Sequence, residues 1–122
     1  MSKPKTVKKY DAVSEAKLRF GHMSARKARY VVDLIRGKRV GEALMLLQMT
    51  YKPSAAPEVL AVLKSAKANA ERKNVSDVND LVIRDIFVDN APIQYRTRPA
   101  PQGRGVKIRK RKCHITIRLN FA

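Results

Sequence analysis

The sequence predicts one small domain of mixed helix and strand that carries a long basic arm. Three consecutive segments between residues 24 and 73 have apolar residues at helical spacing, and strand-like segments lie on either side of them. Between the last two strand-like segments lies TRPAPQGRGVKIRKRK, residues 97–112, which is basic, lacks acidic residues and has few apolar side chains. A chain of 122 residues suits one domain with a modest core.

The chain begins with a basic segment, residues 1–13, which has no apolar periodicity. We expect it to be an extension outside the domain, which covers residues 14–122. No apolar stretch follows its charges, so it does not resemble a secretory signal. Residues 15–20 then alternate, with Ala16, Leu18 and Phe20 set against charged neighbours, which predicts a half-buried strand.

The first helix is predicted over residues 24–38. Ser24 can cap its N-terminus, and Gly37 can take the left-handed conformation that often follows a helix. The apolar stripe consists of Ala28, Val31, Val32 and Ile35. Arg26, Arg29 and Arg36 are expected on the opposite side, either as a solvated face or as phosphate contacts, and the basic chain favours phosphate.

The second helix, residues 42–49, is predicted to be core because almost all its residues, including Met45 and Met49, are apolar. This composition argues against a helix-turn-helix, whose recognition helix needs polar and basic groups. The third helix, from about residue 54 to 73, should be the longest, with Pro57 in its first turn. Its buried stripe is Val59, Val62, Leu63, Ala66 and Ala70.

Two further strands, residues 81–89 and 112–121, are predicted on either side of the arm. In the last strand, one face should consist of Cys113, Ile115, Ile117, Leu119 and Phe121. The other face should consist of Lys112, His114, Thr116, Arg118 and Asn120.

The arm, at about residues 88–114, is predicted to be a hairpin because strands hold both of its ends. About ten residues in each direction would reach about 30 Å. Pro and Gly place the tip at residues 99–103. Since the arm has too little apolar surface to fold alone, we expect residues 91–111 to be mobile in the free protein and ordered on nucleic acid.

Charge indicates the kind of partner. The chain has 27 Lys and Arg against 10 Asp and Glu, a net charge of +17. Residues 1–30 carry a net +7, residues 31–89 a net +1 and residues 90–122 a net +9. Two basic ends flank a near-neutral middle, which favours a polyanion as the partner. Nucleic acid is favoured over an anionic membrane surface, because no broad apolar helix face lies opposite the charges.

Residue types for catalysis are not arranged at useful spacings. Cys113 and His114 are neighbours on a strand, so their side chains point to opposite faces. The glycines at 103 and 105 do not form a dinucleotide fingerprint. We therefore predict no enzyme activity, no catalytic residue, no cofactor and no metal site. A single cysteine fits a reducing compartment.

Four segments in order resemble one known family. They are KARYVVDLIRGKRVGEAL (27–44), VLKSAKANAERKN (62–74), DVNDLVIRDIFVD (77–89) and the run from PQGR to KIRKRKCHITI (101–117). Together they resemble the large-subunit ribosomal protein family numbered twenty-two, of bacterial type, over about residues 14–119. The resemblance implies an α+β fold, with three helices packed on a three-stranded antiparallel sheet and a long protruding β-hairpin.

The resemblance also implies a function. Such a protein is a structural constituent of the large ribosomal subunit in the cytoplasm, binds large-subunit rRNA and supports assembly. It is a monomer within the ribosome, contacts neighbouring ribosomal proteins, and presents its hairpin tip to the nascent peptide in the exit tunnel. The family tip commonly carries basic residues where this chain has Ala100 and Gln102. The alternative is a free-standing regulatory or architectural nucleic-acid binder.

Two groups of residues are predicted to form the functional surface. The rRNA contacts are Arg26, Lys27, Arg29, Arg36, Lys38, Arg96, Arg98, Arg104, Lys107, Arg109, Lys110, Arg111, Lys112 and His114. The tunnel-lining tip is Pro99, Ala100, Pro101, Gln102, Gly103 and Arg104.

Overall fold

The computed structural model describes residues 12–122, so most of the predicted N-terminal extension lies outside the described residues. The helices are α1 (Ala25–Ile35), α2 (Val40–Met49) and α3 (Ala56–Arg72). The strands are β1 (Ser14–Gly21), β2 (Val82–Asn90), β3 (Gln94–Pro99), β4 (Gly105–Lys110) and β5 (Cys113–Asn120). Short 3₁₀ turns lie at Val78–Asp80 and Pro101–Gly103. All predicted helices and strands are present, with ends shifted by a few residues.

The strands form two separate sheets. Strand β5 pairs antiparallel with both β1 and β2, which gives a three-stranded sheet in the order β1-β5-β2. Among residues 12–122, strands β3 and β4 pair only with each other, and they form the arm. The α+β fold with three helices, a three-stranded antiparallel sheet and a hairpin is therefore confirmed.

The core lies between the three helices and one face of the three-stranded sheet. Helix α3 buries the predicted stripe of Val59, Val62, Leu63, Ala66 and Ala70. Helix α3 is also tied to β1 by polar contacts, since the Ser14 hydroxyl donates to the Ala66 carbonyl at 3.0 Å and the Asn69 amide donates to the Glu15 carbonyl at 2.9 Å. These hydrogen bonds fix the helix against the sheet edge that β1 forms.

The predicted alternation of core-facing and polar side chains is confirmed along most of strand β5. Its buried residues on the core side are Cys113, Ile115, Ile117 and Leu119. Phe121 was wrongly placed on this face, because the strand ends at Asn120 and the phenyl ring is exposed. Thr116 was predicted on the polar face, and it is buried there because Lys17 and Phe87 on the two neighbouring strands flank it.

Helix α1, at Ala25–Ile35, lies within its predicted range of 24–38 and has the predicted cap and terminating glycine. The Ser24 hydroxyl accepts the Lys27 amide hydrogen at 3.3 Å, which satisfies one free donor of the first turn. Gly37 has φ +76°, a conformation that costs a side-chain-bearing residue more than glycine. The predicted stripe of Ala28, Val31, Val32 and Ile35 is buried, together with Ala25.

Helix α2 departs from its prediction. Only Val40, Ala43 and Leu47 are buried, whereas Met45, Leu46 and Met49 are exposed. The prediction that the whole helix is core, with both methionines as filler, is wrong. Helix α2 lies at the edge of the helical layer and packs mainly on α3, so only one of its sides meets the core.

Cys113 on β5 should be chemically inert in the folded protein. Its thiol is buried, and burial raises its pKa, with Glu58 acting in the same direction and Arg29 against it. In the folded protein the thiol therefore stays protonated at pH values at which the thiol of the unfolded chain ionises. Cys113 consequently lowers the stability of the fold only when the pH rises above the pKa of the unfolded chain. We expect alkylation at mildly alkaline pH to be slow in buffer and fast in concentrated urea. Equal rates would contradict this burial.

Candidate nucleic-acid interface

The arm is a two-stranded ribbon with cations on both faces. Cross-strand partners share a face, so Arg96 and Arg98 lie on one side with Lys110. Lys107 and Arg109 lie on the other side, opposite Thr97 and Tyr95. Residues 90–122 contain no acidic residue, so neither face carries an internal countercharge. A polyanion can therefore contact either side of the ribbon.

The paired part of the arm is shorter than predicted. Six residue pairs, from Gln94–Lys110 to Pro99–Gly105, span about 20 Å rather than about 30 Å. The remaining length is the connection to the sheet. There the Ala91 amide donates to the Lys112 carbonyl at 3.1 Å, which holds the two ends of the arm together at its base.

The tip of the arm coincides with the predicted turn. The Ala100 amide donates to the Arg104 carbonyl at 2.7 Å, which closes the loop. Gln102 and Gly103 both have left-handed backbone angles, φ +65° and +71°. Glycine adopts this conformation easily and glutamine does so at a cost. The tip is a defined turn, and Arg104 is its only cation.

A basic cleft lies where the arm meets the domain. Its volume is about 570 Å³. Among the residues that the structure describes, no acid lines it and six cations do: Lys27, Arg96, Arg109, Lys110, Arg111 and Lys112. Uncharged lining comes from His22, Met23, Ser24, Ser54 and Gln94. The fold thus places the N-terminal turn of α1 beside the base of the arm, which is some seventy residues further along the chain.

A second cleft, of about 730 Å³, lies on the other side of the arm base. It shares Lys27, Arg111 and Lys112 with the first cleft and adds Arg26 and Arg29. No acidic residue of the range 12–122 lines it. Eight of the fourteen predicted contacts therefore line one basic surface around the arm base. They are Arg26, Lys27, Arg29, Arg96, Arg109, Lys110, Arg111 and Lys112.

The remaining predicted contacts lie elsewhere. Arg98, Arg104 and Lys107 are further out along the arm, where all three are exposed. Arg36 and Lys38 lie at the opposite end of α1 from the clefts. The structure therefore does not bring these two cations into the surface around the arm base.

The arginines of α1 do not all project away from the protein. Arg29 donates to the Val88 carbonyl at 3.0 Å, and Arg36 donates to the Ile86 carbonyl at 3.1 Å. Both carbonyls belong to β2, which is an edge strand of the sheet. An edge strand exposes unpaired backbone groups that invite pairing with another chain. Arg29 and Arg36 cover this edge, so the prediction that they point to the far side of the helix is wrong.

Arg29 should consequently contribute to the stability of the free protein. We expect Arg29→Ala to lower the free energy of unfolding by about 1 kcal/mol, because it leaves the Val88 carbonyl without its donor. Lys27→Ala is the matched control, since Lys27 is also an exposed cation of α1 but its side chain makes no described hydrogen bond. Urea denaturation of both variants measures the difference. Equal stabilities would show that the Arg29 contact contributes nothing.

Arg26 is held by its neighbour one turn along α1. Its guanidinium donates to the Tyr30 hydroxyl at 3.3 Å and lies 6.0 Å from the centre of the Tyr30 ring. This hydrogen bond raises the pKa of Arg26, so the group remains a cation. The pair limits the positions that the Arg26 side chain takes at the wall of the second cleft.

His114 has a structural partner. Its Nδ1 accepts the Phe20 amide hydrogen at 3.0 Å, and the two rings meet edge to face with centres 4.9 Å apart. Phe20 has φ +57° at an irregularity of β1 between Leu18 and Gly21, where the ladder to β5 is interrupted. The histidine therefore satisfies a backbone donor that the sheet leaves free, and only Nε2 remains for an rRNA contact.

The open face of the three-stranded sheet carries cations that the sequence analysis did not assign to a site. Lys17, Arg19 and Arg118 line a shallow cleft of about 250 Å³ there. Arg118 lies over the Phe87 ring at 5.5 Å. Glu15 pairs with Lys17 at 3.1 Å and with Arg118 at 3.8 Å, which offsets part of the charge. The alternation of β1 and β5 was the available signal for this group.

Within residues 12–122, no group of three or more His, Cys, Asp or Glu side chains is placed to hold a metal ion. None of the helices in that part of the chain combines the length and apolar composition needed to cross a bilayer.

The family described as Ribosomal protein L22p/L17e matches residues 16–120 of this sequence. The match spans all three helices, the three-stranded sheet and the arm. Proteins of this family are structural, non-catalytic components of the cytoplasmic large ribosomal subunit and bind its rRNA. The basic clefts and the acid-free arm have the chemistry that this role requires. The chain therefore belongs to the ribosomal protein family L22p/L17e.

Proposed function

We propose that the arm of this protein inserts between segments of folded large-subunit rRNA, supports subunit assembly, and lines the nascent-peptide exit tunnel with its tip. The observation that carries the proposal is the acid-free ribbon with cations on both faces. A protein that rests on one groove needs charge on one side only. A ribbon that is charged on both sides suits a position between two phosphate-bearing surfaces.

The surface around the arm base is the proposed anchor. Its two clefts are lined by cations from α1 and from both ends of the arm, and no acid in the described part of the chain lines either of them. Each phosphate that such a surface neutralises releases counterions, so affinity should fall steeply with added salt. The proposed contacts are the fourteen predicted residues, with Arg29, Arg36 and His114 also serving the fold.

The tip differs in chemistry from the rest of the arm. Pro101 and Gln102 are uncharged and exposed, Ala100 is uncharged and half-buried, and Arg104 follows the turn. Such a surface has little attraction for phosphate and is compatible with a wall along which a peptide passes. The tip is proposed to contact the nascent chain, and the protein is proposed to act as one copy per subunit.

Two measurements test this function. The tagged protein should co-sediment with large subunits, and sedimentation only with DNA or free mRNA would instead support a free-standing regulatory or architectural binder. A photo-crosslinker in place of Gln102 should react with a nascent chain in translating ribosomes. Crosslinking there to rRNA alone would remove the tip from the peptide path while leaving the subunit assignment intact.

The arm should also change its dynamics on binding. Within the described part of the chain its strands pair only with each other, and their side chains are largely exposed. A two-stranded ribbon is marginally stable in water. We expect amides 94–110 to exchange rapidly with solvent in the free protein and slowly in the large subunit, while amides of β5 are protected in both. Protection of the arm in the free protein would contradict this expectation.

A further inference from the structure

Helix α2 has two apolar stripes on opposite sides. Val40, Ala43 and Leu47 form the buried stripe. The second stripe, which we name the α2 stripe, consists of Met45, Leu46 and Met49, with exposed fractions of 65%, 36% and 82%. These positions follow Glu42 by three, four and seven residues, which places all four side chains on one helix face. The α2 stripe is therefore a continuous apolar surface that the domain itself leaves uncovered.

The α2 stripe lies in the part of the chain with the fewest cations. Between Arg39 and Lys52 there is no Lys or Arg, and Glu42 is the one charged residue. These twelve residues, 40–51, are the longest stretch of the chain without Lys or Arg, although stretches of eleven occur at 53–63 and 85–95. The clefts around the arm base have the opposite composition. A surface that combines exposed methionines with a single acid is poorly suited to phosphate.

Protein interfaces have the composition that this surface shows. Methionine is enriched in their centres and lysine is depleted. Flexible thioether side chains adapt to the shape of a partner, and burying them removes apolar area from water. Glu42 at the end of the stripe attracts a basic side chain, whereas a second copy of this chain brings a net charge of +17 toward an equal charge.

We propose that the α2 stripe is the docking surface for a different protein of the large subunit, whose contacting segment is apolar and places a basic side chain opposite Glu42. This inference rests on the proposed function, because the partner is met within the assembled subunit. It assigns the two sides of the molecule to different partners. The arm and its base contact RNA, and the outer face of α2 contacts protein.

The test places a photo-crosslinker at Met45 or Met49 of the protein in assembled large subunits, and at Lys107 of the arm as the matched control. We expect ribonuclease-resistant adducts to another protein from positions 45 and 49, and adducts to rRNA from position 107. Adducts to rRNA from positions 45 and 49, an adduct between two copies, an adduct to residues 1–11 of the same chain, or no adduct there would each overturn the inference. Loss of the rRNA adduct at position 107 would instead count against the proposed function.

A charge substitution gives a second measurement, because added cations should weaken a contact with a protein partner and strengthen a contact with RNA. In Met45→Lys/Met49→Lys, two exposed apolar side chains become cations, so the fold should be retained. We expect the yield of the protein adduct, measured from a crosslinker at Leu46, to fall about tenfold. Affinity for isolated rRNA should stay unchanged. A tighter rRNA complex together with an undiminished protein adduct would show that the stripe faces RNA.

Discussion

Replacing Arg109, Lys110 and Arg111 with glutamine should lower the affinity for large-subunit rRNA by about a hundredfold at physiological salt, because each lost phosphate contact costs about fivefold there. All three cations line the first cleft, and none has a described acidic partner. The plot of log affinity against log salt concentration should also become less steep, by about 2 to 3. Filter binding or fluorescence anisotropy across a salt series measures both effects.

A control variant with the same loss of charge separates local contact from general attraction. Lys64, Lys67 and Arg72 lie on α3, away from both basic clefts. Their replacement by glutamine also removes three positive charges, and we expect a much smaller change in affinity and in salt dependence. Equal losses in the two triple variants would mean that net charge, rather than the surface around the arm base, determines binding.

Ile117→Ala should have the largest effect on stability among single substitutions in the sheet. Ile117 is fully buried in the central strand β5, where it lies between Ala16 of β1 and Ile86 of β2. Shortening this side chain leaves a cavity beneath the helices and should cost about 2–5 kcal/mol. That cost is a large fraction of the roughly 5–15 kcal/mol that stabilises a typical domain. Urea denaturation followed by circular dichroism measures it.

The control for this variant is an aliphatic residue on a strand of the arm. Val106 is exposed on β4, so Val106→Ala should change the free energy of unfolding by less than about 0.5 kcal/mol. Together the two variants test whether the arm folds separately from the core. A destabilisation by Val106→Ala as large as that by Ile117→Ala would show that the arm is part of the cooperative unit.

Elements that bury one face were predictable because one-sided burial leaves a period in the sequence. The stripe of α1, with Ser24 before it and Gly37 after it, fixed the limits of that helix to within a few residues. The alternation of β5 held from Cys113 to Leu119 and failed at Phe121, where the strand has ended. Periodicity cannot detect such an end, because the pattern continues beyond the last backbone hydrogen bond.

Helix α2 was misjudged for a different reason. Its residues are mostly apolar on both sides, and Glu42 is its one charged residue, so the sequence offers no broad polar face to mark solvent. Which side is buried depends on where α3 lies, and that is a tertiary relation. The positions of Arg29 and Arg36 on α1 were also predicted wrongly because of a tertiary relation, since their acceptors are carbonyls of β2, fifty-nine and fifty residues further along the chain.

The sequence by itself determined the helices and strands, the hairpin with its turn at the tip, and a polyanionic partner, because period and charge are local properties of the chain. Its four ordered motifs also indicated the family. Only the tertiary structure decided that the first turn of α1 meets the base of the arm and forms two basic clefts. It also decided that α2 keeps an apolar face outside the core. Both results depend on packing between segments that are distant in the sequence. This packing is determined jointly by backbone pairing and side-chain volume, and no local sequence pattern predicts it.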